Sequence, residues 1–248
     1  MTAFFLEVMR VVSYAHMHMT KKRWGIAGVI ALVILAGGWL FYTNVVSPSF
    51  PINSKDTIAS WSFKGAYTGN ATLVEQANAD IAKLQGLLGK GQYDDYDLYI
   101  GMGNDYSLVG EGTAAYQNYN RAAMMHPDKG LAFANMAHLM EQLGAPYTAV
   151  DAHAQAVAAE PGQLQYHIGR LNYLVHQFPS ESELMNAAFA DARAQFGDTK
   201  QMLAIEADWY TSLGKYADAI AVWERAKKLV TGADASAIAA EIARLKAK

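Results

Sequence analysis

A pattern of aromatic, small and turn residues recurs along this chain at a fixed spacing of about 34 residues. One copy contains Tyr99, Met102, Gly103, Tyr106, Gly110, Ala115, Tyr119, Ala122 and Pro127. The next copy lies one period further on and contains Phe133, Met136, Ala137, Met140, Gly144, Ala149, His153, Ala156 and Pro161. A fixed period of this length is typical of helical hairpins that stack side by side and bury their apolar faces against one another. The pattern therefore predicts an all-α solenoid.

Two further units continue the pattern. The third has Leu171 and Leu174 in register. It then gains two residues around 178–180, and we expect its second helix to be capped near Ser180 or Ser182. The fourth unit is regular and contains Ala207, Tyr210, Gly214, Tyr216, Ala219, Trp223 and Ala226.

Flanking helices should close the two ends of the repeats. The first should begin with a cap at Asn70 or Thr72 and run to about Leu88. The C-terminal stretch 234–248 is amphipathic and ends in lysines, with Ile238, Ile242 and Leu245 expected to face inward. We therefore expect about four helical hairpins within residues 70–233 and a C-terminal capping helix over 234–248.

This spacing resembles the tetratricopeptide repeat family over about residues 96–231. Small residues such as Gly103 let paired helices approach closely, aromatic residues such as Tyr119 fill the space between hairpins, and Gly110 stands at the turn. His153 departs from the family pattern, because it occupies an aromatic slot. The resemblance implies that the first helix of each unit lines a concave groove in which a protein or peptide binds.

The groove should carry a row of polar side chains. Asn104, His138 and Asn172 occupy the same slot in successive units, and Asp208 follows after the two-residue insertion. Such a row suits an extended peptide, whose amide groups need hydrogen-bond partners once water is excluded. The alternative is a polar face that is only solvated. Further acidic groups, at Asp97 and Glu141, favour a neutral or basic ligand over an acidic one.

A transmembrane helix is predicted over residues 24–43, which contain no charged side chain. A segment of this length is enough to cross about 30 Å of hydrocarbon as a helix. Lys21, Lys22 and Arg23 precede the segment, and the next basic residue after it is Lys55. By the positive-inside rule, residues 1–23 form a cytoplasmic tail and everything after the span lies outside the cytoplasm. We therefore expect a single-pass protein of the cell (inner) membrane. The alternative is a cleaved signal peptide, but the apolar stretch is too long and its exit is a poor cleavage site.

The segments around the span are less regular. Residues 1–18 are either a short tail or an over-extended gene start, and His16-x-His18 within them is a weak metal motif. Residues 44–69 read as a linker, with Pro48 and Pro51 near its start. Alternating aromatics over 58–67 permit a short strand. We favour an extended segment whose aromatic side chains cover the open end of the helical stack.

Composition excludes several classes of function. The net charge of −3 lacks the basic footprint of a nucleic-acid-binding protein. The absence of cysteine excludes disulfides and thiolate chemistry. No nucleophile, base and acid can be grouped from their spacing, so we expect no enzyme and no cofactor. We expect no metal site either, because no second ligand follows at i, i+4 on one helix face for the histidines His126, His138, His153, His167 and His176.

These expectations combine into two hypotheses. The first is a membrane-anchored scaffold whose extracytoplasmic groove binds a protein or peptide during envelope complex assembly or protein export. The second is a structural component that forms a homo-oligomer without a separate peptide ligand, in which Gly25, Gly28 and nearby alanines of the span permit close helix contact. A third, an enzyme domain within residues 44–95, has no catalytic cluster to support it.

Overall fold

The computed structural model describes residues 50–248, and these residues form ten α-helices without a β-strand. The helices are α1 (Ala71–Leu87), α2 (Asp95–Val109), α3 (Gly112–Met125), α4 (Leu131–Gln142), α5 (Pro146–Ala159), α6 (Leu164–Gln177), α7 (Ser182–Phe196), α8 (Lys200–Ser212), α9 (Tyr216–Lys227) and α10 (Gly232–Lys246). The all-α prediction is confirmed for this part of the chain. The predicted tail (1–23) and span (24–43) lie outside the described residues. None of the ten described helices is both long enough and apolar enough to cross a bilayer.

The helices pack in chain order. Each helix from α1 to α6 contacts the one that follows it, α8 packs on α6 as well as on α9, and α9 packs on α10. Four antiparallel pairs result, namely α2–α3, α4–α5, α6–α7 and α8–α9. Such nearest-neighbour packing is the arrangement of a helical-repeat solenoid, in which no single helix contacts all the others.

The two-residue insertion lies in the turn of the third pair. The second helices begin at Gly112, Pro146, Ser182 and Tyr216, so the step from Pro146 to Ser182 is longer by two than the steps before and after it. Turns of the other three pairs each contain a glycine with positive φ, at Gly110 (87°), Gly144 (70°) and Gly214 (70°). That left-handed conformation disfavours side chains and ends a helix sharply.

The third turn has no such glycine and instead contains residues 178–180. The cap expected at Ser180 or Ser182 is wrong. Glu181 precedes the first residue of α7, and its side chain makes no capping hydrogen bond. The longer loop and the absence of a turn glycine distinguish this hairpin from its neighbours.

The flanking helices agree with the sequence pattern. Asn70 caps α1, and its Oδ1 accepts a hydrogen bond from the Leu73 backbone N–H at 3.2 Å. Helix α10 begins slightly earlier than expected, at Gly232, and buries Ile238, Ile242 and Leu245 as predicted.

Most of the buried hydrophobic residues fall into three clusters along the described chain. The first joins α2 to α5, the second joins α6 to α8, and the third joins α8 to α10. Tyr119, in the first cluster, lies inside the α2–α3 hairpin, whereas the pattern suggested a position between hairpins. Its ring packs on Gly103, where an added Cβ would lie only 2.4 Å from Tyr119 Cε1. A glycine is needed at this position because the tyrosine ring fills the space of a side chain.

Residues 50–67, the docked segment, are largely extended, with turns at 54–55 and 66–67, and pack on the first cluster. One isolated antiparallel bridge, Ser62 to Glu111, is the only strand-like pairing in the described residues, so the segment is extended and not a strand. The Phe63 N–H donates to the Gly110 carbonyl at 3.1 Å, and the Gly112 N–H donates to the Trp61 carbonyl at 2.9 Å. The segment thus covers the α2–α3 turn and not the open end of the stack, since α1 packs on α2.

Candidate functional site

The six residues expected in the groove all lie on first helices of the hairpins. Five of them have exposed side chains and Glu141 is half-buried. Their helices are α2 for Asp97 and Asn104, α4 for His138 and Glu141, α6 for Asn172, and α8 for Asp208.

A cleft of about 550 Å³ brings three of these six residues together. It lies between α4 and α6, beside the α4–α5 turn. Its lining consists of His138, Glu141, Gly144, Pro146, Gly169, Asn172, Tyr173, His176 and Gln177. Asp97, Asn104 and Asp208 are not among these lining residues. Of the six residues predicted to line the groove, only those in the middle of the stack therefore share one cleft.

Asn104 makes contacts within the protein. Its Oδ1 accepts hydrogen bonds from the Tyr119 hydroxyl at 2.9 Å and from Asn135 Nδ2 at 3.0 Å. The oxygen thereby serves the packing of the α2–α3 hairpin and its junction with α4. Its NH₂ group is the part that can serve a ligand.

Asp208 stands at the other end of the row, near α10. Desolvation by its neighbours and the charge of Glu241 raise the pKa of Asp208. The capping helix therefore brings a second carboxylate to this end of the predicted groove, and Arg244 of the same helix pairs with that carboxylate.

Two imidazoles and one carboxylate form a cluster at the cleft, in which His138 and Glu141 line the cleft and His153 lies buried behind them. Glu141 Oε1 lies 2.7 Å from His153 Nε2 and 3.5 Å from His138 Nδ1. His153 reaches the carboxylate from α5 and is only 3% exposed, whereas the His138 side chain is 61% exposed. The two imidazole rings meet edge to face at 5.7 Å. Both imidazoles thus converge on one carboxylate oxygen.

Electrostatics favour the charged forms of Glu141 and His138. Burial alone would raise the pKa of Glu141, but the hydrogen bonds and charges of His138 and His153 outweigh it and lower the pKa to about 2. The hydrogen bond to Glu141 raises the pKa of His138. Glu141 is therefore a carboxylate throughout the physiological pH range.

Aromatic and small residues of α6 form the opposite wall. The ring of Tyr173 lies 5.3 Å from that of His153. A Cβ added at Gly169 would lie 3.5 Å from His153 Cε1, so the small residue lets α6 approach the imidazole. Burial raises the pKa of Tyr173 to about 12, so its phenol stays protonated, and the hydroxyl donates to the Pro146 carbonyl at 3.4 Å.

Sequence reasoning missed the contribution of His153. Spacing along one helix is the signal by which a sequence reveals grouped ligands, whereas His153 meets Glu141 across a hairpin. The available signal was its position: His153 stands one repeat period after Tyr119, where the pattern has an aromatic residue. Tyr119 likewise bonds to a polar residue of its first helix.

No protein-family model matches the chain, and no curated protein matches it. The chemistry of the cleft rests on the groups that line it. Imidazole, carboxamide and phenol groups offer hydrogen-bond donors and acceptors, and the carboxylate adds one negative charge. Such a set suits a polar ligand with backbone-like amide groups or a positive charge.

Proposed function

We propose that the protein is a membrane-anchored scaffold, related in its repeats to the tetratricopeptide type, that binds a protein or peptide partner between its first helices. The observation that carries this proposal is the cleft between α4 and α6, in which His138, Glu141 and Asn172 lie together. These residues come from two successive repeats. An extended chain that crosses the repeats would therefore contact both.

The chemistry of the cleft favours a peptide with neutral or basic side chains. Asn172 and Gln177 offer carboxamides, which pair with both donors and acceptors of a peptide backbone. Glu141 contributes a fixed negative charge. Like charges across an interface are unfavourable, so an acidic segment would bind more weakly.

The anchor and the location rest on the sequence. The uncharged residues 24–43 and the basic residues before them support a single-pass helix with a cytoplasmic N-terminus. The repeats would then act outside the cytoplasm, in assembly of an envelope complex or in export. We propose no contact with nucleic acid, no enzymatic reaction and no cofactor.

A paired set of variants tests the proposal in native membranes. The cleft variant combines Asn172→Ala with Gln177→Ala, both at exposed lining positions. The control combines Gln155→Ala with Asn186→Ala, which are exposed on the second helices α5 and α7. Crosslinking followed by mass spectrometry should return a partner with the parent and the control but not with the cleft variant. A synthetic peptide of the crosslinked partner segment should bind the parent and lose affinity at least tenfold with the cleft variant.

Two other outcomes would contradict the proposal. If both variants retain the same crosslinked partners, the cleft is not the binding site. If the one persistent crosslink joins two copies of the chain, the self-associating structural role replaces the scaffold.

A further inference from the structure

We infer that His138, Glu141 and His153 form a binding site for a divalent transition-metal ion, with Zn²⁺ the best match. The side chains come from the two helices of one hairpin, α4 and α5. One donor atom from each of the three lies within 4.8 Å of the other two. This inference does not depend on peptide binding.

The distances approach those of a zinc site. Four ligands at about 2.0–2.1 Å from a tetrahedral Zn²⁺ are separated from one another by roughly 3.3 Å. The Glu141 oxygen lies 2.7 Å from the His153 nitrogen and 3.5 Å from the His138 nitrogen, on either side of that value. The His138 side chain is mostly exposed, so small side-chain rotations would bring all three donors to one centre.

The donor set also fits the chemistry of such ions. Two imidazole nitrogens and one carboxylate oxygen suit zinc and neighbouring first-row metals, whereas calcium and magnesium prefer oxygen alone. A metal ligand must be deprotonated, and a glutamate side chain ordinarily meets that requirement at neutral pH. His153 is buried and held against Tyr173, so one of the two imidazoles is positioned in advance.

The ion would lie at the floor of the cleft. His138 and Glu141 both line the cleft, and three protein ligands leave a fourth coordination position for water or another donor. That position would face the space in which Asn172 and His176 also lie. A donor group of a bound molecule could occupy it.

Zinc titration of the full-length chain in detergent tests the inference. The parent protein carries His16→Ala and His18→Ala and no histidine tag, which removes the other short histidine motif. After the metal has been removed with a chelator and dialysis, isothermal titration calorimetry should show binding of one Zn²⁺ per chain. Binding should weaken from pH 7.5 to 5.5, since protons compete for the imidazoles. Co²⁺ should give the visible absorption of a low-symmetry nitrogen and oxygen site.

Two substitutions in the same cleft make the comparison specific. His138→Ala should lower zinc affinity at least tenfold, and thermal unfolding of metal-free protein shows whether this exposed change leaves the fold intact. His176→Ala removes a histidine that lines the cleft outside the cluster, and it should leave affinity unchanged. Absence of stoichiometric binding, or equal affinity of the parent and His138→Ala, would overturn the inference. An equal loss of zinc affinity in His138→Ala and His176→Ala would also overturn it. These zinc-affinity results are independent of the crosslinking result for the Asn172→Ala and Gln177→Ala variant, so failure of one proposal can be told from failure of the other.

Discussion

At the residue scale, Tyr119 and His153 occupy equivalent positions in successive repeats, and each bonds to a polar side chain of its hairpin's first helix. Tyr119 donates to Asn104 at 2.9 Å, and His153 lies 2.7 Å from Glu141. Both are 3% exposed. Leaving a buried polar group unpaired costs about 1–3 kcal/mol, so each contact ties the core to the exposed face of the first helix.

The close approach of Tyr119 to α2 gives a first prediction. Gly103→Ala should destabilise the protein by about 1–3 kcal/mol, because the new Cβ would overlap a buried, hydrogen-bonded ring. The unfolding temperature should fall by roughly 2–4 °C for each kcal/mol in a domain of this size. Differential scanning calorimetry measures this.

A matched control is available in α1. A Cβ added at Gly86 would meet nothing within 4 Å, so Gly86→Ala should be neutral or stabilising by about 0.5–1 kcal/mol. If Gly103→Ala left the unfolding temperature unchanged or raised it, as expected for Gly86→Ala, that result would contradict the packing of Tyr119 on α2.

At the element scale, the docked segment supplies a cap that α5 lacks. Ala145 precedes α5 and has no side chain that can cap it. Asp56 accepts hydrogen bonds from the N–H of Tyr147 at 3.2 Å and of Thr148 at 2.6 Å. These are early amides of the helix, which have no partner within it, and a carboxylate there also interacts favourably with the helix dipole.

Removing that cap should release the segment. Asp56→Ala should cost about 0.5–2 kcal/mol, in the range of other lost caps. Hydrogen exchange measured by mass spectrometry should become faster in peptides that cover residues 50–67 and the first turn of α5. The control is Ser54→Ala, at an exposed position of the same segment. Equal exchange in the two variants would mean that Asp56 does not hold the segment.

The limits of sequence reasoning are visible at this scale. Helix positions followed from the period, and Gly110, Gly144 and Gly214 marked the turns, because these are local signals. Packing of this segment on the helices was expected from its aromatic residues, but the place where residues 50–67 dock was not predictable, since the contacts join residues far apart in the chain, such as Phe50 with Asn120. The His153 contact was missed for a similar reason: its partner lies on another helix.

At the scale of the whole molecule, the sequence makes a topological prediction that the cysteine-free chain can test cleanly. Ala240→Cys places a thiol at an exposed position of α10, and Thr20→Cys places one before the predicted span. In bacterial spheroplasts, a membrane-impermeant maleimide should label the first variant and spare the second. Detergent should make both reactive, which serves as the control. Labelling of Thr20→Cys alone in intact spheroplasts would invert the proposed orientation.

The three separate clusters of buried residues have one further consequence. The last of them involves α8 to α10, whereas the cleft lies between α4 and α6. In repeat proteins, each unit depends chiefly on its immediate neighbours. Fraying of α10 would therefore leave occupancy of the cleft unaffected, whereas loss of α8 would reach the cleft because α8 packs on α6. Protection of backbone amides by a bound ligand would be greatest near α4 to α6 and would fade with distance along the stack.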